Sequence, residues 1–282
     1  MWADSGRLVA VAAVVLGGAV GARTAAAVEA VVLENETVRL ELAGDGRGAR
    51  FVDRRTGADH AALPPGAAFA HVTAGGRVHG VTALTRDGDL VRVAFGESGV
   101  RAALRFVAKP RHLTLEVASV EGDGIDVLTF IDLPLSPVGE ATDSFAGCAL
   151  ALNLQTNVHE IPQPGARLRA MCYPRFGMAG ARVALIGCPA DDLRSILQEV
   201  VSEAPELPHS AVGGPWALDG PLNRGSYLFD FGDLTEATVD DWIRLAGELG
   251  INQIDFHGGR SFRFGDCRPN PELYPRGLDS LK

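Results

Sequence analysis

The sequence predicts a mainly β fold: an antiparallel β-sandwich followed by a strand–helix–strand unit. Three observations predict it. From Val31 to about Phe130 apolar and polar residues alternate with a period of two, and turn signals recur between the alternating runs. After a Pro- and Gly-rich stretch around residues 206–223 the pattern changes to short apolar runs flanking one amphipathic helix. Hydrophobic residues make up 46% of the 282-residue chain, enough to bury a sizeable core.

The first segment is read as a processing signal. Arg7 lies in a short leading region, Leu8 to Val20 is an uncharged run of 13 residues, and Ala25-Ala26-Ala27 offers an A-x-A cleavage pattern. That run falls short of the roughly 20 residues that a membrane span needs. The expectation is a signal peptide over 1–27, an exported mature chain that is periplasmic or extracellular, and no membrane association once the signal is cleaved.

In the β-rich region, expected to span 28–205, Val38, Leu40 and Leu42 alternate with Arg39 and Glu41. Val91, Val93 and Phe95 alternate in the same way, as do Leu113, Leu115 and Val117. Gly44-Asp45-Gly46, Thr56-Gly57, Gly75-Gly76, Asp87-Gly88 and Gly122-Asp123-Gly124 supply the turns. Leu128 to Leu135 reads as a further strand, and more are expected around Ala149–Leu154, Arg167–Cys172 and Val183–Gly187. Pro189 and Asp191-Asp192 open a helix whose Leu193, Ile196, Leu197, Val200 and Val201 share one face. Residues 206–223 read as a linker.

The last region, 224–282, begins with an apolar strand over Tyr227 to Phe231. Thr235 is placed to cap a helix with Val239, Trp242, Ile243, Ala246 and Leu249 as its buried face, and Gly250 is its stop. Ile251 to Phe256 gives a second strand. Short connections around one helix require the two strands to be parallel. Leu278 to Lys282 reads as the opening of another helix.

Two stretches resemble a known architecture. Leu33-Glu34-Asn35-Glu36-Thr37-Val38-Arg39-Leu40 with Phe51-Val52-Asp53-Arg54-Arg55-Thr56-Gly57 resembles the first hairpins of mutarotase-like supersandwich domains. Tyr227-Leu228-Phe229, Leu234-Thr235-Glu236 and Tyr274-Pro275-Arg276-Gly277-Leu278 resemble the first βαβ turn of the catalytic barrel that follows such domains in α-galactosidase-like glycoside hydrolases. The resemblance implies an antiparallel β-supersandwich, then the first βαβ unit of a truncated (β/α)8 barrel. It also implies a carbohydrate substrate. The two catalytic carboxylates of such enzymes lie on later strands, so no catalytic residue is carried over onto this chain. The Asp-Asp-Gly-Trp run common near the first strand in that group is absent as well.

Active sites of (βα) barrels lie at the C-terminal ends of the strands. That places Asp230 and Asp233 after the first strand, and Asp255 and His257 after the second, as candidates. Asp230, Asp255 and His257 are the expected substrate-binding groups, since sugar hydroxyls need side chains that accept and donate hydrogen bonds. Asp230 or Asp233 capping the next helix is the competing reading. Trp216 is a candidate stacking platform for a sugar, or else packs between domains. Arg260, Arg263 and Arg268 lie in the loop after the second strand, within reach of a carboxylated sugar or simply solvated.

No cofactor and no metal site are expected. Asp255 and His257 share a strand face but supply two ligands where zinc takes three or four. Cys148, Cys172, Cys188 and Cys267 contain no CxxC and read as buried thiols or disulfide partners. A net charge of −9 without a basic patch points away from nucleic acid and anionic membrane, toward neutral or cationic partners. A non-catalytic exported β-sandwich binding glycan or protein is the alternative function, and the sandwich of a polysaccharide lyase a third.

Overall fold

A computed structural model describes residues 30–140, 142–158, 167–207, 209–215, 219–221, 225–257, 260–263 and 268–281. The signal segment over 1–27, Trp216, His159 and Cys267 lie outside the described residues.

The chain opens with β1 (Val31–Glu34), β2 (Val38–Leu42) and β3 (Ala49–Asp53), which form a three-stranded antiparallel sheet in chain order. The period-two pattern decides its facing: Val38, Leu40 and Leu42 are buried, while Arg39 is exposed. The Asn35 carboxamide closes the β1–β2 turn by accepting from the N–H groups of Thr37 and Val38.

Next come β4 (His71–Ala74), β5 (Arg77–Gly80), β6 (Ala83–Asp87), β7 (Leu90–Ala94), β8 (Arg101–Ala108), β9 (Leu113–Glu121) and β10 (Ile125–Pro134). After them follow β11 (Phe145–Ala151), β12 (Asn157–Val158), β13 (Arg167–Cys172) and β14 (Arg182–Pro189). They build two antiparallel sheets. One has five strands in the order β12-β13-β10-β4-β5, and the other six in the order β11-β14-β9-β8-β7-β6. Val72, Leu128, Ile131, Leu133 and Leu168 of the first sheet and Leu104, Leu113, Leu115, Val117 and Leu185 of the second join one buried core. Phe51, Phe69, Phe95 and Phe130 are buried within it. The expected antiparallel sandwich is present.

The strand expected around Ala149–Leu154 starts earlier, at Phe145, and ends at Ala151. Gly187 of β14 faces Val38, Phe51 and Phe145, and a Cβ there would lie 2.5 Å from Val38 Cγ1. The sheets approach so closely at this point that only a residue without a side chain fits.

The helix α1 (Leu193–Ser202) follows a short 3₁₀ turn over Ala190–Asp192. Its Ile196, Val200 and Val201 are buried. Ile196 and Val200 pack on Cys148, Ala184, Ile186 and Cys188, which are outward-facing residues of β11 and β14. The helix therefore covers the outer face of the six-stranded sheet at its β11–β14 edge. The linker is fastened to it. A short hairpin of β15 (His209–Ser210) and β16 (Gly214–Pro215) follows α1, and the His209 ring lies 2.9 Å from the Val201 carbonyl. Asp219 accepts from Arg194 at 3.0 Å and from Gln198 at 2.6 Å.

The last region contains β17 (Tyr227–Asp230), α2 (Val239–Leu249) and β18 (Gln253–Phe256). Strands β17 and β18 pair in parallel, with Phe229 opposite Asp255. The helix starts later than expected, and its expected buried face is not buried: Ile243 and Leu249 are exposed, and no residue of α2 is fully buried among the described residues. Thr238, not Thr235, is its N-cap residue, and Thr235 instead accepts from the N–H groups of Thr238 and Val239 through its carbonyl. Gly250 ends it at φ 65°, where its N–H meets the carbonyls of Ala246 and Gly247. A two-residue hairpin, β19 (Phe262–Arg263) with β20 (Arg268–Pro269), and a 3₁₀ turn over Gly277–Leu281 complete the described chain. The expected helix opening at Leu278 takes that tighter form.

Candidate functional site

The candidate site lies at the C-terminal edge of the parallel pair. Side chains alternate across a strand, so the register sorts them into two groups. Phe256 packs its ring on Trp242 of α2 at 5.1 Å, which makes the Asp230–Phe256 position helix-facing. Phe229 and Asp255 occupy the opposite face. His257 continues that face one step beyond β18. Its ring stands 5.3 Å from Phe229 and 5.9 Å from Phe231. Phe229 and Phe231 themselves meet edge to face at 5.2 Å. The result is an aromatic cluster beside the Asp255 carboxylate, with Phe231 74% and Phe229 44% exposed.

Asp230 is placed differently. Its Oδ1 accepts from the Gly232 N–H at 2.5 Å, an Asx turn that starts the loop toward α2. Its carbonyl accepts from the His257 N–H at 2.8 Å and so extends the pairing past the end of β18. Asp230 and Asp255, expected to anchor one sugar together, thus leave the sheet on opposite faces. Asp233 accepts from the Ser261 hydroxyl at 3.4 Å.

The loops after the two strands are tied together. Ser261 is buried, and its Oγ accepts from the Leu234 N–H at 3.2 Å. Tyr274 is 2% exposed and donates its hydroxyl to the Leu234 carbonyl. Arg276 pairs with Glu236 at 3.2 Å. Ser261 gave no signal in the sequence. Tyr274 stood inside the Tyr-Pro-x-Gly-Leu resemblance, but its role as the buried pin between two loops needed the fold. Phe229 and Phe231 were read only as strand residues, because apolar residues in a short strand carry no mark of which face they will line.

Trp216 and the side chain of Arg263 lie outside the described residues. Arg260 supplies its carbonyl to the Asn270 side chain at 2.8 Å. No group of three or more His, Cys, Asp or Glu side chains suited to a metal ion occurs among the described residues. The thiols of Cys148, Cys172 and Cys188 are buried and unpaired, and burial pushes each up to about 12. At neutral pH they are protonated and poor nucleophiles.

No protein-family model matches the chain, and no curated protein matches it. Among solved structures, an alpha-N-acetylgalactosaminidase from Bifidobacterium bifidum is similar at 13% identity and a TM-score of 0.49, covering 89% of this chain and 55% of its own. An alpha-galactosidase from Lactobacillus brevis is similar at 11% identity and a TM-score of 0.36, with 89% and 52% covered. A GH31 family sulfoquinovosidase from E. rectale is similar at 10% identity and a TM-score of 0.36, with 87% and 45% covered. The chain thus spans about half the length of these structures.

Proposed function

We propose that this chain is the N-terminal part of an exported glycoside hydrolase, a β-supersandwich joined to the first βαβ unit of a (β/α)8 barrel. The observation that carries the reading is the parallel β17–α2–β18 unit after an antiparallel sandwich, with Asp255, His257, Phe229 and Phe231 gathered at the C-terminal ends of its strands. The two hairpin stretches and the Tyr-Pro-x-Gly-Leu run support it by resemblance. In this reading Asp255 and His257 hydrogen-bond hydroxyls of a bound sugar, the rings of Phe229 and Phe231 stack on its apolar face, and Asp230 shapes the loop that frames them. The carboxylates that cleave the glycosidic bond belong to other strands of the barrel.

The decisive experiment is a long sequencing read of the locus through the Lys282 codon. A frame continuing with further alternating strand and helix patterns, and carrying paired carboxylates, supports the proposal. A stop codon there, together with a mature protein ending at Lys282, refutes it. Assays of the purified chain on aryl glycosides are expected to give no turnover.

A second reading has one observation in its favour. Among the described residues, the fully buried core of the sandwich and α1 ends at Ala204, and beyond it only the partly buried Leu207 packs on that core. That fits a stand-alone exported glycan- or protein-binding module. It predicts that residues 28–205 fold alone and bind sugars, and glycan-array or calorimetric silence of that piece would dispose of it.

A further inference from the structure

The outer face of the five-stranded sheet carries a charged cluster that no feature of the fold requires. Strand β10 contains a bulge: its register with β13 shifts between Thr129 and Ile131, with Phe130 the extra residue. Phe130 and Ile131 consequently both point into the core, and both are fully buried. The alternation beyond them is reversed, so Asp132 emerges on the same outer face as Thr129. Without the extra residue Asp132 would face the apolar core. Bulges re-aim side chains in this way, often beside functional sites.

Around Asp132, whose side chain is 13% exposed, three basic groups converge. Arg169 stands directly across on β13, and Arg167 two residues along on the same face. Arg167 Nε lies 2.7 Å from Asp132 Oδ1, and Arg169 Nε 3.9 Å from Asp132 Oδ2. His71 of β4 approaches from the other side, its Nδ1 3.8 Å from Oδ2. One carboxylate thus faces two guanidinium groups, leaving one positive charge over. In both ion pairs the closest approach is through Nε, and neither Nε makes a hydrogen bond. Among the described residues, the terminal nitrogens of Arg167 and Arg169 donate no hydrogen bond. A guanidinium carries five N–H donors in a planar fork suited to oxyanions. Burial lowers the His71 pKa first, Asp132 opposes this, and Arg169 and Arg167 lower it further. The imidazole is therefore neutral at pH 7 and adds no charge of its own.

We infer that the Asp132–Arg167–Arg169 cluster binds an oxyanion, a carboxylate or sulfate group, with Asp132 holding the two guanidinium groups in place and the anion taking their free donors. The chain's net charge of −9 repels anions at long range, so this local surplus is the exception that would select one. The inference stands whether or not the barrel reading holds, because every residue in it belongs to the sandwich.

The test is calorimetric titration of the purified chain with sodium glucuronate, sodium sulfate and glucose, at ionic strength held constant with sodium chloride. Saturable one-to-one binding of glucuronate or sulfate, and none of glucose, is expected. Glucuronate alone marks a sugar carboxylate as the ligand, and sulfate alone a free inorganic oxyanion. Arg169→Gln and Arg167→Gln should each weaken binding about tenfold or more, the loss of one charge-assisted contact. Asp132→Asn removes the neighbouring negative charge while keeping a side-chain oxygen beside the two guanidinium groups, and should bind at least as tightly as the parent chain. Should either arginine variant lose its fold by circular dichroism, Asp132→Asn and an Arg→Lys replacement, which keeps the charge but removes the fork, carry the test. Absence of anion binding, equal binding of glucose, unchanged affinity in folded Arg→Gln variants, or lost binding in Asp132→Asn would each overturn the inference.

Discussion

Replacing Gly187 with alanine isolates the closest approach in the sandwich. An added Cβ would sit 2.5 Å from Val38 Cγ1, 2.6 Å from Phe51 Cε1 and 2.8 Å from Phe145 Cζ. Ordinary contacts between carbon atoms are about 3.5–4 Å, so each overlap is on the order of 1 Å. Relief is blocked on two sides, because Phe51 and Phe145 pack edge to face at 6.2 Å and Phe145 also stacks on His60 at 3.9 Å. Overpacking of this kind costs about 1–3 kcal/mol. In a domain of this size that lowers Tm by roughly 3–10 °C. The control is Gly247→Ala, where the same methyl group meets nothing within 4 Å on α2. There alanine should stabilise the isolated helix position by about 0.5–1 kcal/mol through helix propensity. Scanning calorimetry of both variants reads the contrast directly, and Gly187→Ala combined with Val38→Ala should recover part of the loss. A Gly187→Ala transition within about 1 °C of the parent would refute the packing of β14 against Phe51 and Phe145.

Stability should fall with pH in two windows. His112 and His71 have pKa values lowered from 6.5 by burial first, so the unfolded chain binds more protons there, and stability present above pH 6.5 declines as the pH drops below it. His112→Gln should flatten that part of a Tm-versus-pH curve. Burial raises the Asp53 carboxyl, but donation from Thr56 and Arg55 outweighs it and leaves the pKa below 3.8. That contribution is present above pH 3.8 and lost on further acidification, a phase that Asp53→Asn should remove. Cys148, Cys172 and Cys188 should resist a thiol reagent at pH 8 in the folded chain and react in denaturant, with labelled sites located by peptide mass spectrometry; fast native labelling of any one would contradict its burial. Tyr274→Phe removes the hydroxyl that reaches the Leu234 carbonyl and should cost about 1 kcal/mol, read as faster amide exchange in residues 234–238.

Much of the fold was legible because the signal is local. The alternation of Val38, Leu40 and Leu42 reports a half-buried strand wherever the strand lies, and the strand expected around Arg167–Cys172 is present. Gly250 was readable as a helix stop, since an αL position favours a residue without Cβ. The α2 start was displaced because Thr235 and Thr238 are both competent caps, and only the turn between them decides which is used. The relative facing of Asp230 and Asp255 was not readable for a related reason. Position at a strand end was readable, but which face each side chain takes depends on inter-strand register.

The sequence by itself determined that this chain forms a β-rich body with a strand–helix–strand unit behind it, because periodicity, turn residues and helix stops act over a few residues. Only the tertiary structure decided the strand order, the fit of Gly187 between Phe51 and Phe145, and the emergence of Asp132 beside two arginines from β13 and a histidine from β4. Those outcomes depend on pairings between residues tens of positions apart, and on one bulge that leaves no mark in the local pattern yet reverses the facing of the side chains after it in β10.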